Sequence, residues 1–160
     1  MDVEELYRRY AAGERYFPGV DLSHADLNVA EVEDLEELEP GQNDLSGINL
    51  SSANLTRADL SFVNLSGANL SSANLDSATL WGTILTGANL SDAILDYAEL
   101  ASDLVDVDLR EASLECTQLI GTNLTRANLM GSYFAATGEG RLTFCNTIMP
   151  DGTIRNDNSS

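Results

Sequence analysis

The fold of this chain is decided by residues 44–100, whose first part, residues 44–70, reads DLSGINLSSANLTRADLSFVNLSGANL. Leucine occupies every fifth position of this stretch without a gap, from Leu45 to Leu100. A small apolar residue usually stands two positions before each leucine, and asparagine or aspartate usually stands between them. Because a period of five matches neither a helix nor a strand, each unit must be a short extended tripeptide followed by a two-residue turn.

Glycine indicates how many units make one coil. Gly47, Gly67 and Gly87 recur every twenty residues, which corresponds to four units of five residues. A single unit cannot bury its own leucine, so the units must wind and stack. The sequence therefore predicts an all-β solenoid with four units per coil, and coils spaced about 4.8 Å apart.

The Ala-(Asn/Asp)-Leu-X-X pattern resembles the pentapeptide repeat family, and the resemblance covers approximately residues 17–144. The flanks, residues 10–15 and 145–152, are similar to those of cyanobacterial members. The resemblance implies a right-handed quadrilateral β-helix, with the leucines inside and the small residues packed beside them. Most members have no established function, a few bind partner proteins, and some act as DNA mimics on type II topoisomerases.

Residues 1–16 are predicted to form a short N-terminal α-helix that caps the first coil. Asp2 can cap this helix, with Glu5 completing a capping box, and Gly13 is placed to end it. An open solenoid end exposes strand edges and apolar side chains, so a covering helix is the expected role. A partner-binding helix is the alternative interpretation.

The β-helix is predicted to span residues 17–149, followed by a C-terminal tail at residues 150–160. An acidic insertion at residues 31–43 breaks the five-residue frame and ends in a Pro-Gly turn signal. The insertion is either a tolerated addition or a recognition loop on a rigid scaffold.

A second interruption, a frame slip of one residue, falls at residues 100–104. Leu104 is taken as the next inward side chain, because choosing Val105 instead would bury the carboxylate of Asp103. One corner must therefore have lost a residue, which predicts a tighter or different turn there.

The composition limits the range of functions. The net charge is −18 and lysine is absent, which argues against direct binding of nucleic acid or of an anionic membrane. No apolar run could cross a membrane and no signal peptide is evident, so a cytoplasmic location is expected. Cys116 and Cys145 are expected to be free thiols, and with His24, a solvated corner residue, they do not form a metal ligand set. No catalytic residues, metal site or cofactor are predicted.

Three surfaces are candidates for binding another protein. The insertion and the stacked acidic side chains could meet a basic partner, or could simply be solvated charge. The aromatic corner could be a contact site, or its side chains could pack internally. The candidate residues of the aromatic corner are Phe62, Trp81 and Ile84. The stacked acidic side chains are Asp76, Asp96 and Glu115, and those of the insertion are Glu33, Asp34, Glu36 and Glu37.

The sequence thus favours a non-catalytic protein–protein interaction module, either a monomer or an end-to-end dimer. The first alternative is a DNA mimic that binds a type II topoisomerase. Residues 44–144 hold twelve acidic and four arginine side chains, a net charge of −8. Duplex DNA of the same length, roughly 24 Å, would carry about 14 charges, so the charge density is low for such a mimic. An enzyme of unknown type is the second alternative.

Overall fold

The structure is a computed structural model that describes residues 1–28, 43–137 and 142–156, with the side chains of residues 136 and 137 left out. Most of the acidic insertion, including Glu33, Asp34, Glu36 and Glu37, lies outside the described residues.

Helix α1 (Val3–Ala11) packs at the N-terminal end of the solenoid. The carboxylate of Asp2 accepts a hydrogen bond from the backbone N–H of Glu5 at 2.8 Å, so the predicted N-cap is confirmed.

Two tyrosines join this helix to the coils. The hydroxyl of Tyr7 donates to the carbonyl of Leu27, and the hydroxyl of Tyr10 donates to the carbonyl of Ser46, each at 2.8 Å. Burial, together with the nearby carboxylates, raises the pKa of Tyr7 well above its usual value.

Most of the remaining described chain is held together by parallel pairing between successive coils. The three-residue segments are so short that most pair through isolated bridges, such as Asn49 with Asn69 and Asn69 with Asn89. The strands are β1 (Asn43–Asp44), β2 (Val63–Asn64), β3 (Glu99–Leu100), β4 (Ser113–Leu119), β5 (Tyr133–Thr137), β6 (Thr147–Ile148) and β7 (Ile154–Arg155). Strands β1 and β2 pair in parallel, β3, β4 and β5 form a parallel sheet, and β6 and β7 form an antiparallel hairpin.

The bridges give the length of each coil. Most join residues that are twenty apart, so one coil contains four units, as the glycine spacing predicts. We number the coils by their inward residues: coil 1 runs from Leu45 to Leu60, coil 2 from Leu65 to Leu80, coil 3 from Leu85 to Leu100, coil 4 from Leu104 to Leu119 and coil 5 from Leu124 to Phe134. The units of each coil are numbered one to four, and equivalent units of successive coils form a side.

The separation between paired residues departs from twenty at two places, and these coincide with the two interruptions in the sequence. Asp21 pairs with Asn54, thirty-three residues away, so the ladder resumes in register after the insertion. Ile84 pairs with Asp103, nineteen residues away, so one residue is missing between coils 3 and 4. Leu104 is fully buried and Asp103 is exposed, as the argument from the cost of burying a carboxylate requires.

Most corners share one turn. The residue two positions after the inward leucine has a positive φ, as in Gly67 (64°), Ser72 (56°) and Arg57 (56°). The N–H of the next residue then donates to the carbonyl of the leucine, as from Ala58 to Leu55 at 3.0 Å. The shortened corner after Leu100 has no residue with positive φ, which is the different turn that the frame slip predicts.

The interior is a ladder of leucines. Every leucine from Leu45 to Leu129 is at most 2% exposed, and alanines pack beside them. Where threonine or serine replaces alanine, its hydroxyl usually donates to a carbonyl 22 or 23 residues earlier in the chain, as from Thr83 to Leu60 and from Thr117 to Leu95, each at 2.8 Å. These polar side chains therefore stay paired inside an apolar core.

The C-terminal end is closed by side chains of the last described coil. Phe144 is buried, Leu142 and Met149 pack against the core, and the guanidinium of Arg155 lies 4.1 Å from the centre of the Phe144 ring. The β6–β7 hairpin turns through the predicted Pro-Asp-Gly segment. No helix among the described residues is long and apolar enough to span a membrane.

Candidate functional site

The outward residue of most units serves the fold. The side-chain oxygen of Asn69 accepts a hydrogen bond from the backbone N–H of Ser71 at 3.1 Å, and that of Asp59 accepts one from Ser61 at 2.9 Å. This local bond explains why asparagine or aspartate precedes the inward leucine. Outward positions that lack it, and corners that carry large apolar residues, are not required by the repeat and are therefore the candidates for recognition.

Trp81 stands at the corner between coils 2 and 3, and we call this region the Trp81 corner. Its side chain is 48% exposed, and its indole N–H donates to the carboxylate of Glu99 at 3.1 Å. The equivalent position in the preceding coil is Ser61, so an aromatic residue is not needed for the turn. Ile84, the outward residue of the next unit, is half-buried.

Phe62 lies at the same corner one coil earlier, but it stacks on Gly82 rather than on Trp81. It stands two positions after Leu60, with a φ of 60°, whereas Trp81 directly follows Leu80. A Cβ at Gly82 would lie 2.9 Å from Cδ1 of Phe62, so the ring covers that glycine. The half-buried Phe62 therefore packs within the corner, which was one of its two interpretations from the sequence.

Ile120 extends the apolar character of the Trp81 corner toward the C-terminus. It is 41% exposed and directly follows the inward Leu119 of coil 4. Ala101, the single residue of the shortened corner, lies between Trp81 and Ile120 along the solenoid. The backbone N–H of Gly82 donates to the carbonyl of Ala101 at 3.0 Å, which places these coils in direct contact.

The predicted acidic residues Asp76, Asp96 and Glu115 lie on successive coils at the corner between the third and fourth units. The N–H of Ser77 donates to the carbonyl of Asp96, and that of Tyr97 donates to the carbonyl of Glu115. Asp96 and Glu115 are linked further, because the Asp96 carboxylate accepts a bond from the Glu115 N–H at 3.0 Å. It also accepts a bond from the hydroxyl of Ser113 at 2.6 Å.

The negative charges at this corner affect the pKa of Tyr97. Its side chain is 57% exposed. The charge of Glu115, followed by that of Cys116 and by partial burial, raises the pKa of Tyr97 above its usual value, and the carboxylates of Asp96 and Asp76 add to the effect. Like charges therefore remain close together here, even though Asp96 is hydrogen-bonded.

Two other acidic residues are neutralised. Arg126 binds the carboxylate of Asp106 from the next coil through two hydrogen bonds of 2.6 Å, and Arg110 binds that of Asp108. These arginines lower the pKa of both aspartates, chiefly through the side-chain hydrogen bonds. Arg126 is twenty residues from Asp106 in the chain, so this ion pair forms between successive coils.

Four exposed apolar side chains escaped the sequence-based prediction. They cluster around the third side of coils 3 to 5: Ile94 is 41% exposed, Tyr97 57%, Met130 47% and Tyr133 58%. Ile94 and Tyr133 occupy outward positions that hold Asn54 and Asn74 in earlier coils. The available signal was the loss of asparagine from that column.

The cysteines and the histidine of the chain lie at exposed positions. Cys116 and Cys145 are free and exposed, and His24 is an exposed corner residue with a φ of 58°. Residues 1–28, 43–137 and 142–156 contain no group of three or more potential metal ligands. No pocket is present on this described part of the chain.

Comparison with known proteins identifies the repeat. The sequence profile of pentapeptide repeats matches residues 42–71, 73–101 and 102–135, in eight copies. The chain belongs to the pentapeptide repeat family. Members of this kind are generally structural or interaction modules rather than enzymes, and the predicted resemblance is confirmed.

Several solved pentapeptide repeat structures of cyanobacteria are similar to this chain. HetL of Nostoc sp. strain PCC 7120, involved in the regulation of heterocyst differentiation, is 23% identical, with coverage of 97% of this chain and 100% of HetL and a TM-score of 0.43. Another Nostoc PCC 7120 member is 30% identical, with coverage of 73% and 80% and a TM-score of 0.35. Rfr23 of Cyanothece 51142 is 25% identical, with coverage of 91% and 97% and a TM-score of 0.34. No curated protein matches the sequence significantly.

Proposed function

We propose that this pentapeptide repeat protein is a non-catalytic, cytoplasmic interaction module that binds another protein through the Trp81 corner. Its scaffold is then a right-handed quadrilateral β-helix, the form that pentapeptide repeat proteins take. The observation that carries the proposal is the half-exposed indole of Trp81, held by Glu99 at a corner where the repeat itself requires only serine.

The physical argument concerns rigidity as well as exposure. An exposed tryptophan on a flexible loop loses side-chain entropy when it binds, which weakens the complex. Here the backbone of Trp81 is fixed in the turn, and the N–H of Phe62 donates to its carbonyl at 2.8 Å. The indole is tied at its nitrogen, and Ile120 and Ala101 extend the apolar surface beside it. Rigid aromatic anchors of this kind dominate the energetics of many protein interfaces.

Affinity capture from the native cell, with the full chain as bait, tests this proposal. We expect Trp81→Ala to lose the partner that the wild type retains, because the anchor is removed while the turn is kept. Ile154→Ala is the matched control, since Ile154 is 65% exposed in the C-terminal hairpin, away from this corner. Identical partners for wild type and Trp81→Ala would remove the corner from consideration.

The only tryptophan of the chain supplies a second readout. When a captured partner is added to the purified protein, burial of Trp81 should shift its fluorescence emission to shorter wavelength. An unchanged emission spectrum at saturating partner would contradict binding through this corner.

The DNA-mimic alternative receives less support from the arrangement of charge. Asp106 and Asp108 are paired with arginines, so these two carboxylates are not free to imitate the phosphates of DNA. We expect no inhibition of gyrase supercoiling at low micromolar protein. Inhibition in that assay would favour the mimic over the interaction module.

A further inference from the structure

We infer that the third side of coils 3 to 5 is a second docking surface, and that its occupant is a basic amphipathic helix of another protein. The inference deepens the proposed function and rests on it, but it concerns residues away from the Trp81 corner. The surface, which we call the third-side surface, comprises Ile94, Tyr97, Ser113, Met130 and Tyr133 with the acidic side chains around them.

The pairing of the strands aligns the centre of this surface. Ile94 pairs with Ser113, and Ser113 pairs with Tyr133, so the three outward side chains lie in one column. Ile94 and Tyr133 are two coils apart, which separates them by about 10 Å along the column. In coils 1 and 2 the same column holds Asn54 and Asn74, whose side chains accept hydrogen bonds from their own turns. Ile94 and Tyr133 make no such bond, so nothing in the repeat accounts for them.

A carboxylate stands at the middle of the column. Asp96 reaches Ser113, whose hydroxyl donates to it at 2.6 Å. The column therefore presents an apolar side chain, an acidic group and a second apolar side chain in order. Tyr97 and Met130 widen the apolar surface at the two neighbouring corners, at 57% and 47% exposure.

Acidic side chains border the surface on both edges. Glu115 is exposed at the corner that carries Tyr97, and Asp92 and Glu111 are exposed at the corner that carries Met130. The carboxylate of Glu111 lies directly over Gly131, in the space that a Cβ at this position would occupy. Arg110, at the same corner, is occupied by Asp108. Among the described residues, the charge that faces an occupant is thus predominantly negative.

Charge and spacing together identify the class of the occupant. A helix places residues i and i+7 about 10.5 Å apart on one face, which matches the two-coil spacing of Ile94 and Tyr133. Residues i+3 and i+4 of that face would then lie over Asp96, where arginine or lysine is electrostatically complementary. A complementary negative surface also favours the approach of a cationic helix over an anionic one.

Fluorescence anisotropy with a synthetic peptide tests the inference. The probe is a labelled helical peptide of about 18 residues with leucine at i and i+7 and arginine at i+3 and i+4; a matched peptide carries glutamate in place of arginine. We expect saturable binding of the arginine peptide, weakening several-fold between low and physiological salt as the charges are screened. The glutamate peptide should not bind.

The variants restore residues that this column already carries elsewhere. Ile94→Asn combined with Tyr133→Asn should weaken binding of the arginine peptide at least about tenfold, as loss of two central contacts does. If that protein fails to fold by circular dichroism, Ile94→Ser with Tyr133→Ser replaces it, since Ser113 occupies the column natively. Asp96→Asn keeps the hydrogen bonds, removes the charge and should reduce both affinity and salt dependence.

Trp81→Ala separates this inference from the proposed function. It should leave peptide binding within about twofold of wild type, because Trp81 lies at a different corner. The inference is overturned by absence of saturable peptide binding, by equal binding of the glutamate peptide, or by undiminished binding to the folded double variant. Loss of a captured partner in Trp81→Ala with intact peptide binding would support both sites separately.

Discussion

The second and third sides of the solenoid share one interior but differ on the outside. On the second side, every coil from 1 to 5 keeps asparagine or aspartate at the outward position, and each of these side chains accepts a hydrogen bond from its own turn. On the third side this holds only for coils 1 and 2. Leu95 and Leu114, the inward residues of coils 3 and 4 on the third side, are fully buried without a preceding asparagine, so burial of the leucine does not depend on that residue.

The largest effects should therefore come from the interior and should be equal on the two sides. Leu90 lies on the second side and Leu95 on the third, both in coil 3 and both fully buried. Leu90→Ala and Leu95→Ala should each lower the free energy of unfolding by about 2–5 kcal/mol, measured by urea denaturation. Gln118→Ala, an exposed control, should change it by less than about 0.5 kcal/mol. A much smaller loss for Leu95→Ala would indicate loose packing beneath the third side.

Exchanging the outward residues of the second and third sides should change the free energy of unfolding less than the interior substitutions do, and by a different amount on each side. Asn89→Ile removes the hydrogen bond to the N–H of Ser91, made at 3.0 Å, and should cost about 1 kcal/mol in the free energy of unfolding. Ile94→Asn places an acceptor beside the N–H of Asp96 and should leave stability unchanged or raise it slightly. Thermal melts of the two variants provide the measurement. A large destabilisation by Ile94→Asn would show that Ile94 serves the fold, and would weaken the case for the third-side surface.

The smallest effect concerns the ionisation of Tyr97 at the edge of the third side. Because its pKa is raised, chiefly by the charge of Glu115, the phenol should titrate above its usual range in an NMR pH titration. A raised pKa in the folded state means that any stabilisation is complete below the unfolded pKa of about 10 and is lost as pH rises through the folded value. Glu115→Gln should move the pKa of Tyr97 down toward its usual value. An unchanged pKa of Tyr97 in Glu115→Gln would mean that the charge of Glu115 does not act on the phenol.

The interior was predictable from the sequence because it depends on spacing. The five-residue period places the leucines inside, and the cost of burying Asp103 locates the missing residue before Leu104. Both arguments use only neighbours along the chain. The hydrogen bonds of the buried Thr83 and Thr117 hydroxyls were not foreseen, since their acceptors are carbonyls 22 or 23 residues earlier in the chain.

The surface was less predictable because its contacts join residues about twenty apart. Arg126 reaches Asp106 only once the coils are in register. Phe62 and Trp81 both follow a fourth-unit leucine, but a difference of one position in the turn directs Phe62 over Gly82 and leaves Trp81 exposed. The third-side surface required attention to residues that depart from the repeat, and Ile94 and Tyr133 are such departures.

The varying distance between paired residues has an evolutionary consequence. Successive bridges span thirty-three, twenty and nineteen residues, yet the ladder continues in register. Genes with tandem repeats gain and lose short pieces during replication. In this architecture a short insertion or deletion of that kind alters one corner and leaves the other coils paired in register, so we expect genes that differ in length by a few codons to encode folded proteins.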